Sequence, residues 1–261
     1  MSRKPTSRRN IEIELSVVLP CLNEAATVGK CIEKAKKAIK ALKIRGEVVV
    51  ADNGSHDRSP QIAKSLGARV VKVEKRGYGH ALIGGLTAAR GRYFVMGDAD
   101  DSYDFLALGS LVEKLKEGVD VVIGNRFRGG IGPGAMPWKN RWIGNPTLTA
   151  FCGLLFKTSV GDVCCGFRAM TRDAFKELEL ETGGMEFAVE MIALAKKAGL
   201  RLAEVPVTLE KDGRSGPSHL RGWRDGAATL LWMLEAWVRP DSRGLEPIVP
   251  KNLDKETALE K

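Results

Sequence analysis

At 261 residues the chain can bury a sizeable core, as one large domain or two small ones. Its 44% hydrophobic content excludes a disordered polymer, and its net charge of +9 points to anionic partners such as nucleotides, phospholipid headgroups or nucleic acid without choosing among them. Five cysteines with no C-x-x-C pair argue against a disulfide framework or a zinc site and point to a reducing compartment.

Residues 1–12 read as a basic flexible arm able to touch anionic lipid; no apolar core for a signal peptide is present there. Residues 14–20 form a strand-like run closed by Pro20, followed by Cys21-Leu22-Asn23-Glu24. A helix is predicted over 25–42, with apolar residues at helical spacing and lysines on the other face. The pattern then repeats: a strand over 47–51 ending in Asp52, a helix over 59–66, a strand over 69–73, a helix over 80–89 and a strand over 93–96. This alternation predicts a parallel sheet covered on both faces. In such a sheet the ligand crevice lies beyond the carboxyl ends of the strands.

Each strand end carries polar residues: Glu24, Asp52, Arg76, then Asp98 with Asp100. Two carboxylates one residue apart can reach a hard divalent cation shared with substrate phosphates, whereas an isolated Asp-x-Asp string is more often a solvated turn. Asp101 is read as such a turn residue. Gly77-Tyr78-Gly79 is not a dinucleotide fingerprint, because it follows the third strand and Leu82 stands where the third glycine belongs. Arg76 beside it faces either phosphate or solvent.

In the second half, a helix is predicted over 105–115 and a strand over 119–124 that delivers Arg126 and Arg128 to the same edge. The glycines and prolines of 129–137 suit a movable loop. Trp138, Arg141 and Trp142 follow at helical spacing, fitting a membrane interface or an anionic acceptor as well as a core. The helix predicted over 145–158 could enter the core or lie in a bilayer surface. Asp162 and Arg168 flank a turn and short strand. A helix follows to about residue 198, and Glu186 and Glu190 share its face with Glu186 better placed to enter a cleft. A strand over 202–209 precedes a polar loop bearing Arg214 and His219. The apolar run 227–238 is too short to span a membrane and is interrupted by Glu235.

Six ordered motifs carry a resemblance over about residues 15–234. They are Pro20-Cys21-Leu22-Asn23-Glu24, Asp52-Asn53-Gly54-Ser55, Asp98-Ala99-Asp100, Gly124-Asn125-Arg126-Phe127, Asp162-Val163-Cys164-Cys165-Gly166-Phe167-Arg168 and Glu204-Val205-Pro206-Val207. Together they resemble inverting family 2 glycosyltransferases of the GT-A fold, an α/β fold with a Rossmann-like, mostly parallel sheet. More narrowly they are similar to the dolichyl- or polyprenyl-phosphate mannosyl- and glucosyltransferases. Cys165 departs from the family's serine, and the C-terminal membrane helices of many relatives have no counterpart here.

The resemblance implies that Pro20, Leu22, Glu24 and Asp52 hold the base and ribose of a nucleotide sugar, with Arg76 and Arg214 on the donor side. Asp98 and Asp100 would hold Mg²⁺ or Mn²⁺ against the diphosphate. Arg126 and Arg141 would bind the acceptor phosphate, and Asp162 and Glu186 would border sugar and acceptor, so that Asp100, Asp162, Glu186 and Arg126 form the catalytic set. The implied layout is a GT-A domain over 13–225, an apolar helix over 226–239 that could lie on a membrane surface, and a charged tail over 240–261. The implied activity is hexose transfer from UDP-glucose or GDP-mannose to a polyprenyl or dolichyl phosphate at the cytoplasmic face, with the enzyme peripheral on an anionic membrane.

Transfer to a soluble hydroxyl acceptor is the alternative and would require Asp162 or Glu186 as a base. A nucleic-acid-binding role fits poorly, since the lysines are spread over helix faces and no RNA-type aromatic motif occurs. A dinucleotide oxidoreductase fits less well still, because the first strand lacks the glycine fingerprint.

Overall fold

The computed structural model describes residues 12–214 and 222–238. The N-terminal arm, His219 and the charged tail therefore lie outside the described residues. Seven strands form one sheet in the order β3-β2-β1-β4-β6-β5-β7. At its centre is β1 (Leu15–Cys21), buried along its whole length, as a parallel strand covered on both faces requires.

On one side β1 pairs in parallel with β2 (Gly46–Asp52), which in turn pairs with β3 (Arg69–Lys72). On the other it pairs with β4 (Tyr93–Met96). Because Cys21 registers with Asp52 and Val18 with Met96, the acidic segments after these strands emerge at one edge.

The helices owe their positions to buried stripes. In α1 (Val28–Ala41), Val28, Cys31, Ile32, Ala35 and Ile39 face the sheet. A short α2 (Ser59–Ser65) precedes β3, and α3 (Tyr78–Ala88) packs closely enough on the sheet that a Cβ on Gly85 would stand 2.5 Å from Val18. The predicted helix over 105–115 divides into a 3₁₀ turn, Phe105–Leu108, capped by the Asp104 side chain, and α4 (Gly109–Lys116).

The second half departs from a purely parallel plan. Strand β5 (Val121–Asn125) is not beside β4; β6 (Arg168–Thr171) lies between them, antiparallel to both. Periodicity cannot report strand direction, since a buried four-residue run reads the same either way. A single turn of helix, α5 (Arg126–Gly129), leaves β5. A π-helical turn, Asn140–Gly144, then runs into α6 (Asn145–Phe156).

After β6 comes α7 (Arg172–Leu178), a helix the periodic pattern did not reveal. Its start was nonetheless marked, because Thr171 caps it by accepting from the Ala174 N–H at 3.1 Å. Next, α8 (Phe187–Lys197) leads to β7 (Leu202–Pro206), which pairs in parallel with β5. Last is α9 (Gly222–Val238). Among the described residues no helix is long and apolar enough to cross a membrane.

The glycines around Tyr78 serve chain packing. The Gly79 N–H donates to the Gly183 carbonyl at 2.9 Å, so a backbone oxygen from the loop before α8 fills the N-terminus of α3. A Cβ on Gly79 would stand 2.1 Å from the Thr182 carbonyl oxygen. Gly79→Ala is accordingly expected to destabilise the protein by about 1–3 kcal/mol through overpacking, read as a lower urea midpoint at unchanged slope.

Candidate active site

The site lies where β1, β2, β4 and β5 end. Glu24, just past β1, is buried, and its backbone N–H donates to Ser59 Oγ at 2.8 Å, which fixes the turn. Asp52 closes β2 and accepts from the Ser55 N–H at 3.0 Å. Asn53 organises the neighbouring loop: its amide donates to the carbonyls of Val73 and Lys75 and accepts from the Gly77 N–H. Arg76 donates through Nη1 to the carbonyls of Asn53 at 2.7 Å and Gly54 at 3.2 Å, so it braces the β2 loop from an exposed position.

Past β4, Asp100 accepts from the Ser102 N–H and hydroxyl through Oδ1. Its Oδ2 meets Arg214 Nη2 at 3.1 Å, and Arg214 Nε donates to Glu24 Oε1 at 2.8 Å. One guanidinium thus spans carboxylates from the ends of β1 and β4, a contact 190 residues apart in sequence. Burial pushes the Glu24 carboxyl above its ordinary range, with Arg214 opposing. Asp101 is not a solvated turn residue: Lys34 holds it at 2.7 Å, while its φ of 65° bends the chain.

Asp98 accepts from Tyr78 Oη at 2.9 Å. Burial, then the charge of Asp100, push its carboxyl up to about 7 although the Tyr78 hydrogen bond opposes this. In metal-free protein the native state therefore keeps a proton that the unfolded chain releases near pH 4. More protons are bound in the native state between about pH 4 and 7, so stability from this group falls as pH rises through that window. Asp98→Asn is expected to remove that fall, measured by urea unfolding at a series of pH values in chelator.

Gly166 leaves the space for this pair, since a Cβ there would stand 2.8 Å from Asp98 Oδ2. A recess of about 110 Å³ opens beside it, lined by Tyr78, Asp98, Tyr103, Arg126, Cys165 and Phe187. It is smaller than the roughly 300–1,000 Å³ of a whole ligand pocket, so it receives only part of a ligand.

Arg126, at the end of β5, donates through Nε and Nη2 to the two oxygens of Asp162, each at 2.7 Å. Its backbone N–H adds a third bond to that carboxylate. Asp162 is fully buried and Arg126 nearly so. Glu186 stands at the start of α8 with its carboxylate folded back over Gly184, and Arg141 lies beside the Trp142 ring at 5.3 Å. The structure thus joins Glu24, Asp100 and Arg214 in one cluster, Asp98 with Tyr78 in a second and Arg126 with Asp162 in a third; it does not bring Arg141 or Glu186 into contact with them.

Three residues noted in the sequence without a role, Arg168, Glu190 and Glu204, organise the surroundings of the site. Arg168 is buried and donates to the carbonyls of Val163, Cys165 and Ala188, tying the turn after Asp162 to α8. Glu190 is buried too, and it accepts from the backbone N–H groups of Glu181 and Thr182. Glu204 accepts from Asn125 Nδ2 and the N–H groups of Gly161 and Asp162. An acid within the E-V-P run was the available signal for Glu204. Cys165 sits near Tyr103 Oη at 3.8 Å, and burial pushes both its thiol and that of Cys164 up to about 11, so neither is a ready nucleophile.

Among the described residues no three His, Cys, Asp or Glu side chains converge on a common metal position. The oxygens of Asp98 and Asp100 nonetheless suit Mg²⁺ or Mn²⁺, which take one or two carboxylates and complete their shell with phosphate and water. The Arg214 guanidinium against Asp100 shows that this carboxylate accepts a cation in the fold as it stands.

A mostly parallel sheet with acids at its strand ends and a buried arginine facing them defines a glycosyltransferase of the GT-A type. The chain belongs to Glycosyl transferase family 2, whose family model matches residues 16–179. It is 41% identical over 221 residues to the low-salt glycan biosynthesis hexosyltransferase Agl6 of Haloferax volcanii, a match covering 84% of this chain and 53% of that protein. It is 32% identical to the dolichyl-phosphate hexose transferase of the same organism, over 82% of this chain and 90% of that protein.

Among solved structures it resembles glucosyl-3-phosphoglycerate synthase from Mycobacterium tuberculosis in complex with Mn²⁺, uridine diphosphate and glucosyl-3-phosphoglycerate. The TM-score is 0.65 at 26% identity, covering 90% of this chain and 82% of that one.

Proposed function

We propose that the protein transfers a hexose from UDP-glucose or GDP-mannose to a polyprenyl or dolichyl phosphate, working as a peripheral enzyme at the cytoplasmic membrane face with Mg²⁺ or Mn²⁺. The observation that carries this reading is the Glu24–Arg214–Asp100 cluster at the sheet edge, with Asp98 behind it and the Arg126–Asp162 pair opposite.

In this reading Pro20, Leu22, Glu24 and Asp52 hold base and ribose, and Arg76 keeps their loop in place. Asp98 and Asp100 hold the cation, which when bound neutralises the leaving diphosphate. Arg126 presents its remaining edge to the acceptor phosphate while Asp162 fixes its orientation, and Arg141 guides the same phosphate from outside. An ionised phosphate oxygen attacks without a base, so orientation supplies most of the rate, and displacement inverts the anomeric centre.

A soluble hydroxyl acceptor is the second reading, supported by a structural relative that is seen with phosphoglyceric acid. That route needs a base. Asp162 is engaged at both oxygens by Arg126, which leaves Glu186 for that role.

The two readings separate with radiolabelled UDP-glucose and GDP-mannose supplied with Mn²⁺, with and without polyprenyl phosphate. Label is expected in the organic phase only with the lipid present, and to be lost in Asp100→Ala. Label entering only water-soluble acceptors would favour the second reading, and turnover indifferent to chelation would remove the cation from the mechanism.

A further inference from the structure

The helices α6 and α9 and the π-helical turn before α6 leave an apolar surface that the other described residues do not cover. The two helices pack together, with the Phe156 and Trp232 rings 6.4 Å apart, and a Cβ on Gly222 would come within 3.4 Å of Asn140 Oδ1. Their inner faces, including Cys152 and Phe156 on α6 and Trp232 and Met233 on α9, belong to the core. Their outer faces are largely apolar as well, although Arg224 near the start of α9 and Glu235 near its end are also exposed. On α9, Trp223, Leu231, Leu234 and Val238 are exposed at spacings of one or two helical turns, and on α6 Leu154 is 76% exposed. A helix with apolar residues on its outer as well as its inner face ordinarily has a partner on both sides. An exposed patch of this kind marks an interaction surface.

The chemistry of the patch selects its occupant. Four of the five tryptophans, Trp138, Trp142, Trp223 and Trp237, are exposed here, each about 60% or more. Tryptophan concentrates at the headgroup level of bilayers, where one end of the ring is apolar and the other wet. Cations accompany the rings: Lys139 Nζ lies 6.0 Å from the Trp138 centroid and the Arg141 guanidinium 5.3 Å from that of Trp142. Residues 138–157 contain three cations, Lys139, Arg141 and Lys157, and no acid. An apolar surface fringed by lysine and arginine complements an anionic lipid surface.

We infer that this face, built from Trp138–Ile143, α6 and α9, docks the protein in the plane of an anionic bilayer. The face is mechanically close to the site: the Val163 N–H reaches Thr149 Oγ1 of α6 at 3.4 Å, one residue from the Asp162 that grips Arg126. Docking would bring Arg141 to headgroup depth and the Arg126 end of the recess to face a phosphate tethered there. The inference rests on the proposed lipid acceptor for its purpose, but not for its test.

Full-length protein is mixed with vesicles of phosphatidylglycerol and phosphatidylcholine, and flotation and tryptophan emission are read. Wild type is expected to float and its emission to shift to the blue. The double variant Leu154→Glu with Leu231→Glu is expected to float at least ~tenfold less while melting at the same temperature, since both side chains are exposed. Lys139→Glu is expected to weaken flotation chiefly on anionic vesicles.

Wild type left at the bottom of the gradient, or the double variant floating as well as wild type, would overturn the inference. So would wild-type dimers that the double variant dissolves, which would assign the face to a second copy. Activity on a short-chain, water-soluble polyprenyl phosphate separates the two claims. Turnover without flotation removes docking and keeps the transfer reading, whereas flotation without turnover does the reverse.

Discussion

Asp162→Asn is expected to destabilise the protein by about 3–5 kcal/mol, the cost of leaving a buried charge without its partner. For a chain of this size that corresponds to a melting temperature lower by roughly 6–20 °C. The cause lies in the completeness of the pair. Arg126 places two side-chain N–H groups and its backbone N–H on one fully buried carboxylate, at 2.7, 2.7 and 3.0 Å. An amide in its place supplies one acceptor oxygen and sets an NH₂ against the guanidinium. Glu204 sharpens the prediction, because it holds the Gly161 and Asp162 N–H groups and so keeps the turn in place in the variant. The loss therefore falls on the pair rather than on the loop.

Replacing both partners, Arg126→Met with Asp162→Leu, is expected to recover most of the stability and none of the activity, since no buried charge remains but the arginine proposed to bind the acceptor phosphate is gone. Equal instability in the single and double variants would show that the pair does not act through its charges. Urea unfolding of the three proteins alongside wild type decides it.

The legibility of this molecule follows from which physical signals are local. The continuous apolar runs of β1 and β4 and the spaced stripe of α1 are properties of neighbouring residues, and they appear in the structure within a few positions of where the pattern puts them. The acids were also visible, because a carboxylate directly after an apolar run lies at a strand end whatever the rest of the chain does.

What could not be read is what depends on distant pairing. The insertion of β6 between β4 and β5 is set by pairings between residues far apart in the chain, such as Ile123 with Arg168 and Val95 with Ala169. The mutual engagement of Arg126 and Asp162 is of the same kind: both residues were noticed separately, one as a phosphate ligand and one as a border of the sugar. Arg76 shows the converse. An arginine beside glycines at a strand end suggests phosphate, and nothing local announces that its Nη1 also donates to the carbonyls of Asn53 and Gly54.

Arg214→Gln is expected to change two measurements in opposite directions. Without nucleotide, Mn²⁺ should bind about tenfold or more tightly than to wild type, whereas transfer should slow by about 10²–10³, the usual cost of losing one donor that stabilises developing charge. The first effect follows from where Arg214 sits. Its guanidinium bridges Glu24 and Asp100 at 2.8 and 3.1 Å with its side chain only 15% exposed, so a cation already neutralises the two carboxylates.

Each contact is on the order of 4 kcal/mol at an effective dielectric of about 20, before desolvation is subtracted. A tenfold change in affinity needs about 1.4 kcal/mol, so even a small remainder of that attraction suffices. Glutamine keeps the length for a hydrogen bond to Glu24 but brings no charge, leaving Asp100 to attract an external cation. The second effect follows from the site Arg214 would serve once it leaves Asp100, beside a diphosphate whose charge grows as the sugar departs. Titration of free Mn²⁺ by electron paramagnetic resonance reads the first and initial rates the second. A purely structural Arg214 would lower the melting temperature and leave metal affinity where it was, and that result would return Asp100 to the role of a salt-bridge partner.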